Sequence, residues 1–284
     1  MKDLLGSHFS QMREYSFLNN ELGLVYGDPR IFLLVLQQSQ PPFVIDDYRM
    51  GIFVRGEARI SINLIERHVT PGTLVFLGPG TIISPIRFTE PLEVYGLGLF
   101  ADFPMPSQLP AAFNGQVRDF QVKADEGELG IARRIIDTIW QIIHQSGYSR
   151  PVVSSLVAAL MHLYDGAYRR HTDLLQASRS REQSIFDRFI YLVNQHVAGE
   201  HQMKFYAEKL CLTERYLGTV VRQASGLTAK EWIDRALITR IKVELRHTNK
   251  TILQISEELS FPNPSFFSKY FKRITGQTPG AYRG

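Results

Sequence analysis

The run Phe261-Pro262-Asn263-Pro264-Ser265-Phe266-Phe267-Ser268-Lys269-Tyr270-Phe271-Lys272-Arg273 decides how the C-terminal third folds. Asn263 is a helix N-cap residue, Pro264 suits the first helical position, and Gly276 supplies a left-handed stop. Between them Phe267, Tyr270 and Phe271 recur at helical spacing as an apolar face, while Ser265, Phe266, Lys269 and Lys272 fall on the other side. Just upstream, Thr251 with Gln254 is a capping-box pair that opens a short helix ending at Leu259. The turn Ser260-Phe261-Pro262 then leads into the quoted run. Helix, tight turn, helix is the spacing of a helix-turn-helix.

The same spacing occurs upstream. Phe205, Ala207 and Leu210 form the apolar face of a short helix, Cys211-Leu212-Thr213 makes the turn, and Thr213 caps a helix from Glu214 to Ala224 that Gly226 ends. In that helix Tyr216, Leu217 and Val220 are expected to face inward, and Glu214, Arg215, Gly218, Thr219 and Arg222 outward. Thr228 with Glu231 is a further capping box, opening a long helix through about Arg246. Ahead of everything, Ser184 precedes a segment with Ile185, Phe186, Phe189, Ile190, Leu192 and Val193 on one side. Two ordinary helical hairpins would give the same pattern, so periodicity alone leaves the purpose of these units open.

Charge adds a direction. The net charge of +4 is unevenly spread: from Arg181 onward there are 16 Lys and Arg against 10 Asp and Glu, and before it 16 against 18. A basic C-terminal third on a near-neutral remainder fits a module for a polyanion joined to something else. In a helix-turn-helix the second helix enters the major groove and its exposed N-terminal half reads base edges. The candidate DNA contacts are Arg215, Gly218, Thr219, Arg222, Asn263, Ser265, Phe266, Lys269 and Lys272. Phe266 suits a thymine methyl group, and Arg222 a phosphate.

The segment Phe205 to Arg283 resembles the AraC/XylS family of bacterial transcription regulators. The matching text is Tyr206-Ala207-Glu208-Lys209-Leu210, Ser225-Gly226-Leu227-Thr228, Ile255-Ser256-Glu257-Glu258-Leu259, the run from Phe261 to Arg273, Gly276-Gln277-Thr278-Pro279 and Tyr282-Arg283. The resemblance implies two helix-turn-helix units joined by one long helix, activation of transcription through RNA polymerase, and double-stranded DNA as partner. It also implies an N-terminal cupin-like β-barrel that senses a small-molecule effector, with two helices behind it that form a homodimer. The family usually carries Ile-Ala and Gly-Phe where this chain has Ile255-Ser256 and Ser260-Phe261. Each departure exchanges one small residue for another. Gly218 and Thr219 stand where other members often have longer polar side chains, which leaves few base contacts to the first unit.

The first part of the chain reads differently. With 284 residues the length suggests about two domains. From about residue 15 to 103 short apolar or alternating runs, among them Ile31 to Leu36, Tyr48 to Val54 and Ala58 to Leu64, are separated by turns such as Arg55-Gly56-Glu57 and Gly78-Pro79-Gly80. Two amphipathic helices follow, from Asp125 to Ser146 and from Pro151 to about Tyr168. The expected architecture is therefore multidomain. An all-β cupin-like barrel with two helices occupies 1–170, a polar linker 171–183, and an all-α domain with two helix-turn-helix units 184–284.

The rival reading is a metal-dependent cupin-type enzyme fused to a helical module. A catalytic iron or zinc site needs about three converging His, Asp or Glu ligands. His68 is the only histidine between Tyr15 and Phe100, and with Glu66 it makes a surface pair on one strand face rather than a ligand set. No nucleophile elbow or phosphate loop appears, so neither catalytic residues, a metal nor a cofactor is expected. Cys211, the sole cysteine, excludes an internal disulfide and is expected to be a small core residue. By alternation the effector candidates are Ile52, Val54, Phe76, Phe88 and Tyr95, together with Ile60, Ile62 and Ile86, and with Arg55 or Arg87 fixing an anion. The N-terminal residues are too mixed for a signal peptide and no apolar run reaches membrane-spanning length, so a cytoplasmic protein that does not enter a membrane is expected.

Overall fold

The computed structural model describes residues 16–28, 42–89, 91–114, 117–178 and 180–284. The chain divides into two compact units, Met1–Gln176 and Ala177–Gly284. The apolar run Ile31 to Leu36 lies outside the described residues.

Among the described residues of the first unit, ten strands form two antiparallel sheets. The larger is ordered β1 (Ser16–Leu18), β2 (Leu22–Gly27), β9 (Glu93–Leu99), β4 (Tyr48–Arg55), β7 (Thr73–Leu77) and β10 (Asp119–Lys123). The smaller is ordered β3 (Phe43–Ile45), β8 (Thr81–Phe88), β5 (Ala58–Ile62) and β6 (Ile65–Val69). β10 lies beyond the span expected for the β region: Phe120 pairs with Phe76 and Val122 with Leu74, which extends the larger sheet.

Side chains alternate across a strand, so the larger sheet has two apolar faces. On one, Leu22, Leu24, Met50, Ile52, Leu74 and Phe76 pack with the helices α1 (Glu126–Ile143) and α2 (Arg150–Ser178), through Ala132, Ile136, Ile139, Val157, Leu160 and Tyr164. The Tyr164 hydroxyl crosses into the sheet and donates to the Gly51 carbonyl at 2.9 Å. On the other face Phe53 and Val75 pack with Ala58 and Val69 of the smaller sheet. α1 starts where its caps dictate, since Asp125 accepts from Glu128 N–H and Glu128 returns a bond to Asp125 N–H.

The polar stretch expected as a linker is mostly helical. α2 continues to Ser178 and α3 (Arg181–His196) begins two residues after the position following it, behind the cap Ser180. Charged and polar residues do not stop a helix in the absence of Gly or Pro, so the stretch is helical although the division between the units, after Gln176, falls within it. α3 opens the second unit and buries Phe186, Phe189, Ile190 and Val193. Then come α4 (Met203–Lys209), α5 (Glu214–Ser225), the long α6 (Ala229–His247), α7 (Ile252–Glu258), α8 (Pro264–Thr275) and α9 (Pro279–Arg283). The capping boxes Thr228–Glu231 and Thr251–Gln254 both form, and Gly226 and Gly276 end α5 and α8 at φ 72° and 81°. No helix among the described residues is long and apolar enough to cross a membrane.

Candidate nucleic-acid interface

Both helix-turn-helix units turn in the same way. After α4, Cys211 N–H donates to Glu208 O at 3.0 Å and Leu212 N–H reaches back to Ala207 O at 2.9 Å. After α7, Ser260 N–H donates to Glu257 O at 3.0 Å and Phe261 N–H to Ser256 O at 2.9 Å. This paired closure is a Schellman motif, and it needs a left-handed residue just past the helix. Cys211 and Ser260 supply it, at φ 56° and 55°. Cys211 is accordingly exposed, not the core residue expected, because the turn points its side chain away from the packing. The entries differ: Thr213 follows Leu212 directly as N-cap, whereas Pro262 intervenes before Asn263.

The second helices present the surface that base reading requires. In α5 Leu217, Val220 and Val221 are buried, and Arg215, Thr219 and Arg222 are exposed. In α8 Phe267, Tyr270 and Phe271 are buried, and Ser265, Phe266, Lys269 and Lys272 are exposed, Phe266 by 54%. Tyr216 departs from expectation: it is exposed on α5 and not inward, since Leu217, Val220 and Val221 already complete the buried stripe. That adds a large amphipathic side chain to the reading face, which spacing alone did not separate from the core. Gly218 is half-buried, with Met203 Cε 3.9 Å from where a side chain would begin.

Polar groups on this face keep free capacity. Asn263 spends its carbonyl oxygen on Phe266 N–H at 2.8 Å, leaving its amide donors outward. Thr219 donates to Arg215 O at 3.0 Å, so its oxygen lone pairs remain for a donor. The side chains of Arg215, Arg222, Lys269 and Lys272 are in no ion pair among the described residues. Three cations elsewhere in the unit are paired: Lys230 with Asp234 at 2.8 Å, Arg240 with Glu244 at 3.2 Å and Lys250 with Glu244 at 3.0 Å. Unpaired cations on the reading helices are what phosphate neutralisation requires.

The long helix α6 fixes the two units. Trp232 Nε1 donates to Ser225 Oγ at 2.8 Å behind α5, and the Tyr270 hydroxyl of α8 donates to Asp234 Oδ1 at 2.7 Å. Burial, then the Asp234 hydrogen bond, push the Tyr270 phenol well up. His201, just before α4, lies 5.2 Å from the Phe261 ring centroid in the second turn. Burial and then Lys230 hold its imidazole below the ordinary value.

In the first unit a cavity of about 130 Å³ opens between the sheets, on the face away from α1 and α2. The larger sheet contributes Arg49, Gly51 and Phe53 of β4, Val75 and Leu77 of β7, and Val94 and Gly96 of β9; Ile60 and Phe88 come from the smaller. Of the effector candidates, Phe88 and Ile60 line it. Ile52, Phe76 and Tyr95 lie on the opposite face, buried with the helices, and Val54 packs there too, beside an irregularity in β4. A one-residue shift exchanges the faces of a strand, and apolar residues on both faces concealed which was which. Arg55 and Arg87 are exposed. Ile62 belongs to a separate cluster with Ile45 and Ile83, and the side chain of Ile86 lies outside the described residues. Tyr95 instead donates to Glu93 at 3.0 Å and accepts from Arg133 at 2.8 Å; burial and the Glu93 bond push its phenol up to about 12. His68 pairs with Glu57 at 2.9 Å and Glu66 with Arg59 at 3.5 Å. Among the described residues no three His, Cys, Asp or Glu converge as a metal site.

Residues 206–284 match a family described as "Helix-turn-helix domain". The transcriptional activator RhaR of Shigella dysenteriae is 25% identical over 190 residues, which cover 63% of this chain and 66% of RhaR. RhaR of Escherichia coli K12 is 23% identical over 188 residues, with the same coverage. The chain thus spans just under two thirds of the length of these relatives. Among solved structures, the C-terminal domain of AraT, a response regulator from Geobacillus stearothermophilus, is 24% identical and covers 37% of this chain and 87% of its own, with a TM-score of 0.34. ToxT from Vibrio cholerae is 12% identical and covers 93% of this chain and 95% of its own, with a TM-score of 0.35.

Proposed function

We propose that residues 206–284, which match the helix-turn-helix family, are a DNA-binding domain of the AraC type and that the protein is a sequence-specific regulator of transcription. The observation that carries the reading is the pair of equivalent turns presenting α5 and α8, each with exposed cations held in no ion pair. Docked on one face of a duplex, the two helices enter successive major grooves about 34 Å apart. Arg215, Thr219, Ser265, Phe266 and Lys269 meet base edges, Gly218 allows close approach, and Asn263, Arg222 and Lys272 hold phosphates.

The first unit is the sensing half of this reading, with a small molecule between its sheets and no catalysis. α1 and α2 join two copies into a homodimer, which recognises a repeated site. Effector binding acts by favouring one arrangement of the protein over another. RNA polymerase is the partner in activation, and the cytoplasm of a bacterium the setting. Selection from a random duplex library at physiological salt, with the full-length protein, tests the core of the proposal. An enriched motif with two blocks about one helical turn apart supports it, and enrichment of no motif removes it.

A further inference from the structure

The cavity between the sheets has a composition that restricts its occupant. Its walls are Phe53, Val75, Val94, Ile60, Phe88 and Leu92, and the one charged side chain lining it among the described residues is Arg49. That guanidinium is already committed: Arg49 Nε and Nη2 donate to the two carboxylate oxygens of Asp47 at 2.7 and 3.0 Å. The forked pair is neutral overall and uses two of the five guanidinium N–H groups, so an anionic ligand meets no net positive charge there. A sugar fares worse, since each hydroxyl taken from water into apolar walls without a hydrogen bond costs on the order of 1–3 kcal/mol.

Size and floor narrow the class further. The volume of about 130 Å³ is close to that of an apolar cavity of about 150 Å³ known to stay dry and to bind benzene. The floor is bare backbone, because Gly51 of β4 sits directly opposite Gly96 of β9. A neighbouring opposed pair, Gly23 and Gly98, is roofed by an aromatic ring: a side-chain carbon added at Gly23 would lie 3.1 Å from Phe100 Cζ, and one at Gly98 3.6 Å from Phe100 Cε1. At the other pair, among the described residues, a ring approaches Gly51 alone and none covers Gly96. Among the described residues, a carbon added at Gly96 would meet Val25 Cβ at 3.7 Å and Met50 O at 4.0 Å, and one at Gly51 the ring edge of Phe53 at Cε2 and Val75 Cβ, both at 4.0 Å. Aromatic rings cover exposed glycine backbone in sheets.

We infer that the cavity takes an uncharged, single-ring aromatic molecule, set against Gly51 and Gly96 as Phe100 is set against Gly23 and Gly98. This rests on the regulator reading only in making that molecule the effector.

Fluorobenzene is the probe, followed by fluorine NMR on the full-length protein. Saturable binding is expected. Gly96→Val fills the floor, its Cβ in ordinary van der Waals contact with Val25 Cβ and Met50 O, and should weaken binding about tenfold or more while leaving the thermal midpoint near that of the wild type. Val94→Ala enlarges the cavity and should shift preference toward naphthalene, which keeps the test decisive if Gly96→Val folds poorly. No saturable binding to the wild type overturns the inference, as does binding that neither variant alters. Displacement of fluorobenzene by an equal concentration of a monosaccharide or a long-chain fatty acid also overturns it. Selection of DNA by the same preparation separates the two readings. Lost arene binding with an enriched DNA motif removes the ligand class alone, and arene binding without a motif removes the regulator and leaves the cavity its ligand.

Discussion

Cys211 and Ser260 hold the same backbone position in the two helix-turn-helix units, both left-handed, at φ 56° and 55°. Neither is glycine, and a side chain there costs about 1–2 kcal/mol relative to a residue that tolerates the conformation. Ser260→Gly should therefore raise unfolding stability by about 0.5–1 kcal/mol after the entropy of the added glycine is counted, read from the denaturant midpoint at constant slope. A lower midpoint would show that the turn carries no such strain. Cys211→Gly should act in the same direction.

Ser256 sits on the helix preceding that turn, fully buried, with its hydroxyl oxygen unpartnered. An orphaned buried hydroxyl costs about 1–3 kcal/mol, so Ser256→Ala should stabilise the second unit by about 1 kcal/mol. The exchange of Ala for Ser is small in volume but not in chemistry. A neutral or destabilising result in thermal unfolding would mean that the hydroxyl finds a water.

Arg215→Ala and Lys269→Ala should each cost about 1–3 kcal/mol at the preferred site and relax selectivity at one base position. Arg222→Ala and Lys272→Ala should weaken all duplexes alike and lower the slope of log affinity against log salt by about one unit. Filter binding across a salt series, with a cognate and a scrambled duplex, separates the two patterns. A selective loss on Arg222→Ala would move that residue to base readout.

Tyr270→Phe should loosen α8 from α6, because Asp234 loses its hydrogen bond at 2.7 Å and keeps Lys230. The expected loss is about 1 kcal/mol in stability, together with weaker binding to duplexes that engage both reading helices. Unchanged affinity for a two-block site would show that α6 positions α8 by apolar packing alone.

The pH dependence has a sign. His201 has a folded-state value held below the ordinary one by burial and Lys230, so the unfolded chain binds the proton first. Stability linked to this group is full above its unfolded value near 6.5, and is lost as pH falls below it toward the folded value. The thermal midpoint of the wild type should fall more between pH 7 and pH 5 than that of His201→Phe. Equal falls would assign the acid sensitivity to other groups.

What could be read from the sequence was what short-range chemistry decides. Thr213, Thr228, Thr251 and Asn263 each bond to a backbone N–H within three residues, and Gly226 and Gly276 end their helices alone. Such signals need no knowledge of the rest of the chain. Which face of β4, β7 and β9 meets the helices is a long-range fact: Thr73–Leu77 is apolar or buried almost throughout, so alternation carries no label for inside. Alternation therefore points to Ile52, Phe76 and Tyr95, which pack with the helices, whereas Phe53, Val75 and Val94 line the cavity. The turn at Cys211 was legible as a turn, but its handedness was not, and handedness is what turned the side chain outward.

One peptide unit serves two masters in the first unit. The carbonyl of Gly51 receives the Tyr164 hydroxyl from α2, while its α-carbon paves the cavity. With no side chain at Gly51 to absorb a displacement, pressure on the paving from one side reaches the strand pairs with Val75 and Gly96 and, on the other side, the Tyr164 hydrogen bond. The hydroxyl stretch and ring environment of Tyr164 are therefore a built-in strain gauge for whatever rests against the sheet.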